Sequence, residues 1–364
     1  MKASVVRAYG KGFELAEHVD IAEPIGREVL VEVKASGLCH TDELASKFPM
    51  GAEPPVVLGH EVAGVVTAVG PGVSELAVGD HVVGCLVQNC GVCERCVAGR
   101  PWLCARTDPN MRAADQPPRL SENGVPFAPA WGLGGFAQQV LIHENQLAKV
   151  PDEIGWAQAA LLGCGVVTGA GAVLNTADVQ PSDTVVVIGV GGVGLNALNG
   201  AVTAGAATII AIDIADEKLE RATHFGATHV INSTTCDPVE EVRRITGGGA
   251  DAVFDFVGIK PVTQQALRML GPGGGLYLIG VLDPSSVIEV SPVELLSTRG
   301  RIVGVFMGST TAKRDIPLYA KLYLEGRFKL DELVSREISL SQIDEGYAML
   351  KDPTVARVVI TDLS

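Results

Sequence analysis

Apolar positions fall into two regimes along the 364-residue chain. From Met1 to about Val150, short apolar runs such as Val29–Val33 and Val62–Val69 are interrupted by Gly, Pro and Asp, as in Val69-Gly70-Pro71-Gly72-Val73 and Val78-Gly79-Asp80. That pattern predicts a β-rich region of strands and tight turns. Between Arg106 and Gly135 the periodicity fades into a stretch rich in Pro and polar residues, which reads as a long surface insertion. From about Val166 the pattern alternates. Strands are predicted at Thr184–Ile188, Thr208–Ile212, His229–Asn232, Ala252–Val257, Leu276–Val281 and Arg301–Val305, and helices at Asp216–Phe225, Pro238–Ile245 and Pro261–Leu270. Short, doubly buried strands alternating with helices specify an α/β fold with a doubly wound parallel sheet, and six strands fit the two-half nucleotide-binding plan. A last helix (Ile316–Leu324) and strand (Arg357–Ile360) are expected to return to the first domain. The domains expected are 1–165, 166–306 and the returning segment 307–364.

Composition narrows the function. With 28 basic against 42 acidic residues the chain carries a formal charge of −14, which argues against nucleic acid and anionic membranes as partners. A 47% apolar content excludes intrinsic disorder. A mean hydropathy of +0.29 raises the question of membrane insertion. The longest uncharged run, Thr184 to Ile212, holds Gly189, Gly191, Gly192 and Gly194, with Asn196, Asn199 and Thr203. A compact Gly run would leave backbone groups unsatisfied in lipid, so the run reads as a buried strand, turn and helix. Met1–Tyr9 carries Lys2 and Arg7 and no long apolar core, so no signal peptide is expected and the cytoplasm is the default compartment. In that setting eight Cys are metal ligands, catalytic groups or packing residues before they are disulfides.

Within the uncharged run, Val185 to Ile188 leads into Gly189-Val190-Gly191-Gly192-Val193-Gly194, a G-x-G-x-x-G turn. Such a turn needs Gly because the backbone must bend tightly and approach a pyrophosphate, while the N–H groups of the following helix face the phosphates. The context fits a dinucleotide site: a strand precedes it, a helix follows, and Asp213 ends the next strand 19 residues after Gly194. A carboxylate there accepts the ribose hydroxyls of NAD and repels the extra phosphate of NADP, so NAD is expected. Lys218 is either a second ribose contact or an exposed helix residue.

Cys90, Cys93, Cys96 and Cys104 form C-x2-C-x2-C-x7-C, a spacing that lets four thiolates converge on one Zn²⁺ with no open position. An iron–sulfur cluster and a disulfide pair are the alternatives, the first disfavoured by spacing and the second by compartment. A second set is dispersed: Cys39-His40-Thr41-Asp42, Gly59-His60-Glu61 and Gly163-Cys164-Gly165 each put a ligand type beside a turn. On spacing alone these could equally be core residues.

Taken together, these motifs resemble the zinc-containing medium-chain alcohol dehydrogenases. Gly37–Asp42, Gly59-His60-Glu61-Val62-Ala63-Gly64, the four-Cys loop, Leu162–Gly165 and Gly189–Gly194 occur in that family's order, over nearly the whole chain. The four-Cys loop looks most like the glutathione-dependent formaldehyde dehydrogenase branch and its bacterial relatives. The resemblance implies a GroES-like catalytic domain, a Rossmann domain, NAD, and two zinc ions, one structural and one catalytic. It puts the catalytic zinc on Cys39, His60 and Cys164, with an alcohol bound as its alkoxide giving hydride to nicotinamide. Glu61 becomes a neighbouring carboxylate or an occasional ligand, with a buried ion pair as its plain alternative. Thr41 takes the alcohol proton, or else is a backbone cap. His40 and Arg357 contact the pyrophosphate, and Thr168 and the backbone near Gly280 contact the nicotinamide. A homodimer or homotetramer is implied.

Two departures bear on the chemistry. Many relatives carry a His relay five residues after the first Cys ligand, where this chain has Leu44, which cannot titrate. Relatives acting on the glutathione adduct of formaldehyde have an Arg four residues after the last structural Cys, where this chain has Asp108. Leu86 suggests an apolar pocket, and Pro117–Trp131 part of its entrance. The expected activity is therefore interconversion of a small-molecule alcohol, primary and with aromatic or allylic candidates, with its aldehyde or ketone. A thiol-adduct formaldehyde dehydrogenase is the alternative enzyme, and a non-catalytic NAD- and zinc-binding protein is the alternative of another class. Cys85 and Cys236 remain for packing.

Overall fold

The computed structural model describes residues 1–280 and 287–364. The chain forms two compact units, Met1–Cys164 with Thr310–Ser364, and Gly165–Ser309.

In the first unit the strand Glu28–Gly37 organises the larger sheet. It pairs antiparallel with Glu61–Val69 on one side and with the C-terminal strand Arg357–Asp362 near its end, and Gln139–His143 also pairs with it. The register is what matters for function: Gly37 faces Glu61 on one strand and Val359 on the other. Val29, Val31 and Val33 alternate into a core shared with Val62, Val66, Val82 and Ile142, the period-2 burial of a strand with one packed face. A second sheet contains Ala3–Val6, Val56–Val57 and the hairpin Leu120–Glu122/Val125–Pro129.

The expected surface insertion holds for its first half, where residues 106–118 are largely exposed, and is corrected from Arg119 onward by that hairpin. Asn123 and Gly124 both have positive φ, the demand of a tight two-residue hairpin turn. Leu120, Phe127, Ala130 and Leu133 are buried. The preceding residues are tied down by charge: the buried Glu28 carboxylate accepts from Arg112 Nε at 2.9 Å, Arg112 Nη2 at 2.6 Å and Arg119 Nε at 2.8 Å. These partners lie 84 and 91 residues from Glu28, which is why local pattern could not reveal them.

The second unit is a six-stranded parallel sheet among the described residues, with spatial order His229–Asn232, Thr208–Asp213, Thr184–Ile188, Ala250–Asp255, Leu270–Leu278 and Arg301–Gly304. In chain order this is 3-2-1-4-5-6, the doubly wound nucleotide-binding topology, whose switch point lies beside the first strand. The fifth strand starts earlier than the pattern predicts, because Gly271–Gly274 continues the strand through an irregular register against Ala250–Ala252. The predicted end of that strand, Val281, lies outside the described residues.

The uncharged run Thr184–Ile212 folds as strand, Gly turn, helix Gly192–Ala204 and strand. Its lack of charge follows from burial: Val185–Val187 are fully covered, and Gly200 sits where a Cβ would lie 3.0 Å from Ala170 Cα of the neighbouring helix. A different segment, Trp156–Ala177, is the one helix among the described residues long and apolar enough to cross a membrane, and 89% of its most apolar window is buried inside the protein. It is a core helix.

Candidate metal and dinucleotide site

The sheet register of the first unit assembles one cluster from three distant segments. Cys39 follows the Glu28–Gly37 strand and precedes the short helix His40–Ala45. His60 directly precedes the Glu61–Val69 strand. Cys164 lies in the π-helical turn Leu162–Val166, brought close because Gly163 has no Cβ: one would lie 2.1 Å from Gly84 O. One ligand atom from each of Cys39, His60, Glu61 and Cys164 lies within 4.8 Å of the others, and all four residues are buried.

The charges around this cluster suit a cation. His60 Nδ1 stands 2.9 Å from Asp42 Oδ2, an ion-pair distance without hydrogen-bond geometry, and both ring nitrogens are buried without a hydrogen-bond partner. A buried ring nitrogen left unpaired costs free energy unless something coordinates it. Burial works to lower the His60 pKa, but the Asp42 carboxylate and Cys39 hold it well above the usual range. A hydrogen bond from Cys164, with the charges of His60 and Arg357, holds Cys39 well below an ordinary thiol, and the same bond and burial push Cys164 up. A metal ion would deprotonate both thiols and leave the imidazole neutral. Two thiolates and an imidazole match a Cys2His zinc site with one position left over.

Glu61 and Arg357 form a buried pair, Arg357 Nη2 donating to Glu61 Oε1. The other oxygen, Oε2, has no partner, and a Cβ on Gly37 would stand 2.2 Å from it. Arg357 is thus no solvated surface residue. Burial lowers its pKa, but Glu61 and Cys39 more than offset this. His40 is exposed, and Thr41 is half-buried with no hydrogen bond from its hydroxyl among the described residues, so Thr41 is not a backbone cap.

The four-Cys loop forms a separate cluster. Its sulfurs approach one another at 3.4 Å (Cys93–Cys96), 3.7 Å (Cys104–Cys90), 3.8 Å (Cys93–Cys104) and 4.0 Å (Cys90–Cys96). Tetrahedral zinc with Zn–S of about 2.3 Å requires sulfur separations of about 3.8 Å. All eight Cys are free, which excludes the disulfide alternative in this structure. Backbone N–H groups of Val92 and Cys93 pull the Cys90 thiol down to about 6.

In the second unit the Gly turn is shaped for close approach. Gly189 has φ +84°, Gly191 opens onto free space, and a Cβ on Gly194 would lie 2.1 Å from Gly189 O. Gly192 and Val193 begin the helix, with their N–H groups at its amino end. Asp213 is buried and accepts from Val190 N at 3.0 Å and Ile214 N at 2.8 Å, so it braces the turn. Lys218 Nζ is 3.9 Å from Asp213 Oδ1, leaning on the carboxylate rather than pointing away. Thr168 is buried, with its hydroxyl 3.5 Å from Met307 Sδ.

Three contributors carry no role of their own in the sequence pattern, although Asp42 stands in the Cys39–Asp42 motif and Trp131 ends the segment expected at the pocket entrance. Asp42 orients His60 and also accepts from Gly59 N at 2.9 Å. Its place in Cys39-His40-Thr41-Asp42 is the one signal that could have found it. Tyr347 OH donates to Cys39 O at 3.2 Å across 308 residues, and no local signal marks it. Trp131 stands edge-on to His60, with ring centroids 5.1 Å apart.

Comparison with known proteins finds matches over both units. Residues 26–152 match the alcohol dehydrogenase GroES-like domain and residues 192–324 the zinc-binding dehydrogenase domain. The chain is 35% identical to S-(hydroxymethyl)glutathione dehydrogenase of Paracoccus denitrificans, over 99% of both chains. It is 36% identical to NDMA-dependent alcohol dehydrogenase of Amycolatopsis methanolica, over 99% of this chain and 98% of that protein. The crystal structure of benzyl alcohol dehydrogenase from Acinetobacter calcoaceticus superposes with a TM-score of 0.93 at 35% identity, covering 99% of each chain.

Proposed function

This chain belongs to the zinc-containing medium-chain alcohol dehydrogenase family, an NAD- and zinc-dependent oxidoreductase, and we propose that it interconverts free primary alcohols, aromatic and allylic ones included, with their aldehydes. Cys39, His60 and Cys164 would hold the catalytic zinc, and Cys90, Cys93, Cys96 and Cys104 the structural one. When bound, zinc supplies Lewis acidity that lowers the pKa of an alcohol, and NAD supplies the hydride acceptor.

The protein's own residues do the positioning. The Asp42 carboxylate, 2.9 Å from His60 Nδ1, would hold the proton on that nitrogen and leave the Nε2 lone pair for a metal. Arg357 fixes Glu61 beside the cluster, available as an occasional ligand. Thr41, with its hydroxyl uncommitted, would accept the alcohol proton while passing its own hydroxyl proton on to ribose and water or to another base, since Leu44 cannot titrate. Gly189, Gly191, Gly192, Val193 and Gly194 would cradle the dinucleotide pyrophosphate, with Thr168 of the same unit near the nicotinamide.

The observation that carries the substrate reading is the commitment of Arg112. Its guanidinium is bonded to Glu28, and the position expected of an anion-binding Arg holds exposed Asp108, so neither position offers a glutathione carboxylate a free positive charge. Initial rates with NAD on primary, aromatic and allylic alcohols, beside formaldehyde with and without glutathione, test the reading. Turnover of formaldehyde only with thiol present would replace it with the thiol-adduct activity. Eight free Cys suit a reducing, cytoplasmic location.

Asp213→Ala is expected to lower the ratio of kcat/KM for NAD over NADP by about 10- to 100-fold, since charge-assisted hydrogen bonds to the ribose are lost and a repulsive charge is removed. Steady-state kinetics with both cofactors reads this, and an unchanged ratio would remove Asp213 from cofactor selection.

The strand Arg301–Gly304 ends the parallel sheet with no strand on its outer side among the described residues, and nearby Phe306 is 55% exposed. An open edge of this kind is a pairing surface, and it supports a homodimer built edge to edge. Light scattering is expected to give at least twice the 37.9 kDa chain mass, with Val303→Pro shifting it toward monomer.

A further inference from the structure

We propose that Tyr347 is a positioning residue for the catalytic metal site, its hydroxyl fixing the backbone of Cys39 so that the thiolate retains the ion. The inference rests on the Cys39, His60 and Cys164 zinc site proposed above. Tyr347 lies in the helix Ile343–Met349 and is buried. Its hydroxyl donates to Cys39 O at 3.2 Å, the only hydrogen bond of that hydroxyl among the described residues. The same carbonyl accepts from Asp42 N at 3.0 Å and Glu43 N at 3.4 Å, the bonds that start the helix His40–Ala45. Six residues are too few to hold a helix by themselves, so its start depends on what fixes Cys39 from outside. Cys39 is extended, with φ −116° and ψ 141°, and its own side chain does not cap the helix. Asp42, which faces His60, rides on the same turn.

The phenol is itself held in place. Its ring stacks on Phe13 with centroids 5.6 Å apart and planes at 22°, and Phe13 stands edge-on to Phe136 at 5.8 Å. Gly346 lets the helix seat closely: a Cβ there would lie 2.7 Å from Leu38 Cδ2 and from Ile338 Cδ1. Leu38, next to Cys39, donates its N–H to Val358 O at 2.9 Å, and Arg357 beside Val358 bonds Glu61. One C-terminal segment thus reaches two members of the buried cluster, Cys39 through Tyr347 and Glu61 through Arg357. A Phe would fill the same stack, so packing alone gives no reason for a hydroxyl. What the hydroxyl adds is a fixed ligand backbone. A side chain whose main chain can shift releases a metal more readily, and groups that orient ligands are typically worth ~10- to 100-fold in metal affinity.

Tyr347→Phe removes the hydroxyl and keeps the ring, while Ile343→Val loosens the buried side of the same helix and keeps the hydroxyl. These two holoenzymes, the wild type and Cys39→Ala are incubated with excess chelator. The zinc left on each chain is followed by elemental analysis, and urea midpoints are measured alongside. The wild type is expected to hold two ions and Cys39→Ala the four-Cys ion alone, which assigns the release rates. Tyr347→Phe should release the Cys39 ion about tenfold faster and the four-Cys ion at the wild-type rate. Ile343→Val should keep both wild-type rates despite a comparably lowered urea midpoint, since a lost methylene and a lost hydrogen bond cost similar amounts. Wild-type release from Tyr347→Phe would overturn the proposal. So would equal acceleration of both ions, or the same acceleration in Ile343→Val, because the hydroxyl would then serve folding alone. A wild type with one ion, or a Cys39→Ala protein with two, would sink the zinc site and the proposal together, whereas the other outcomes leave that site standing.

Discussion

Cys39→Ala is expected to lower kcat/KM for primary alcohols about a thousandfold or more, because Lewis-acid stabilisation of a developing alkoxide is worth several kcal/mol and each 1.36 kcal/mol is tenfold. Elemental analysis should fall from two zinc ions per chain to one, with the four-Cys ion retained. The expectation follows from the buried cluster of Cys39, His60, Glu61 and Cys164, and from a buried His60 Nε2 that a metal would satisfy. Asp42→Asn should produce a graded version, about 10- to 100-fold, since it weakens the orientation of His60 without removing a ligand. Retained zinc and near-normal activity in Cys39→Ala would show that the metal centre lies elsewhere. Loss of both ions would show that the variant disrupts the whole unit.

Glu28→Gln is expected to destabilise the protein by about 3–5 kcal/mol, the usual penalty for leaving buried charges without their partner. Arg112 and Arg119 both converge on this one carboxylate, which also accepts from Ile25 N at 3.1 Å. Replacing the whole cluster by apolar groups need not be costly; removing its single anion leaves two guanidinium groups facing each other. Burial pushes the Glu28 pKa up, but Arg112 and Arg119 outweigh it and hold the carboxyl below its usual range. The stabilisation is therefore fully present above the ordinary carboxylate value of about 4 and is lost as pH falls through the lower folded value. Denaturant midpoints of the two proteins should differ widely at pH 7 and converge in acid. A constant difference across that range would mean that the charge cluster is not the source.

How much was legible in the sequence depended on how far apart the cooperating residues lie. The strand Thr184–Ile188, the Gly turn and Asp213 form one local unit, so periodicity and Gly spacing were enough to place them. The four Cys within Cys90–Cys104 could likewise be read as one site from spacing. Cys39, His60 and Cys164 were found as a set only through family resemblance, because nothing in the spacing of residues so far apart requires them to meet.

The sequence by itself determined the alternation of strand and helix, the dinucleotide turn and the four-thiolate loop, all of which are decided within a few turns of chain. Only the tertiary structure decided that Arg357 pairs with Glu61, that Asp42 orients His60, that Tyr347 steadies Cys39 and that the stretch after Arg106 is anchored to Glu28. The physical reason is the same in each case. A buried charge or polar atom must find a partner, and sheet register, with Gly37 placed between Glu61 and Val359, chooses that partner from anywhere in the chain.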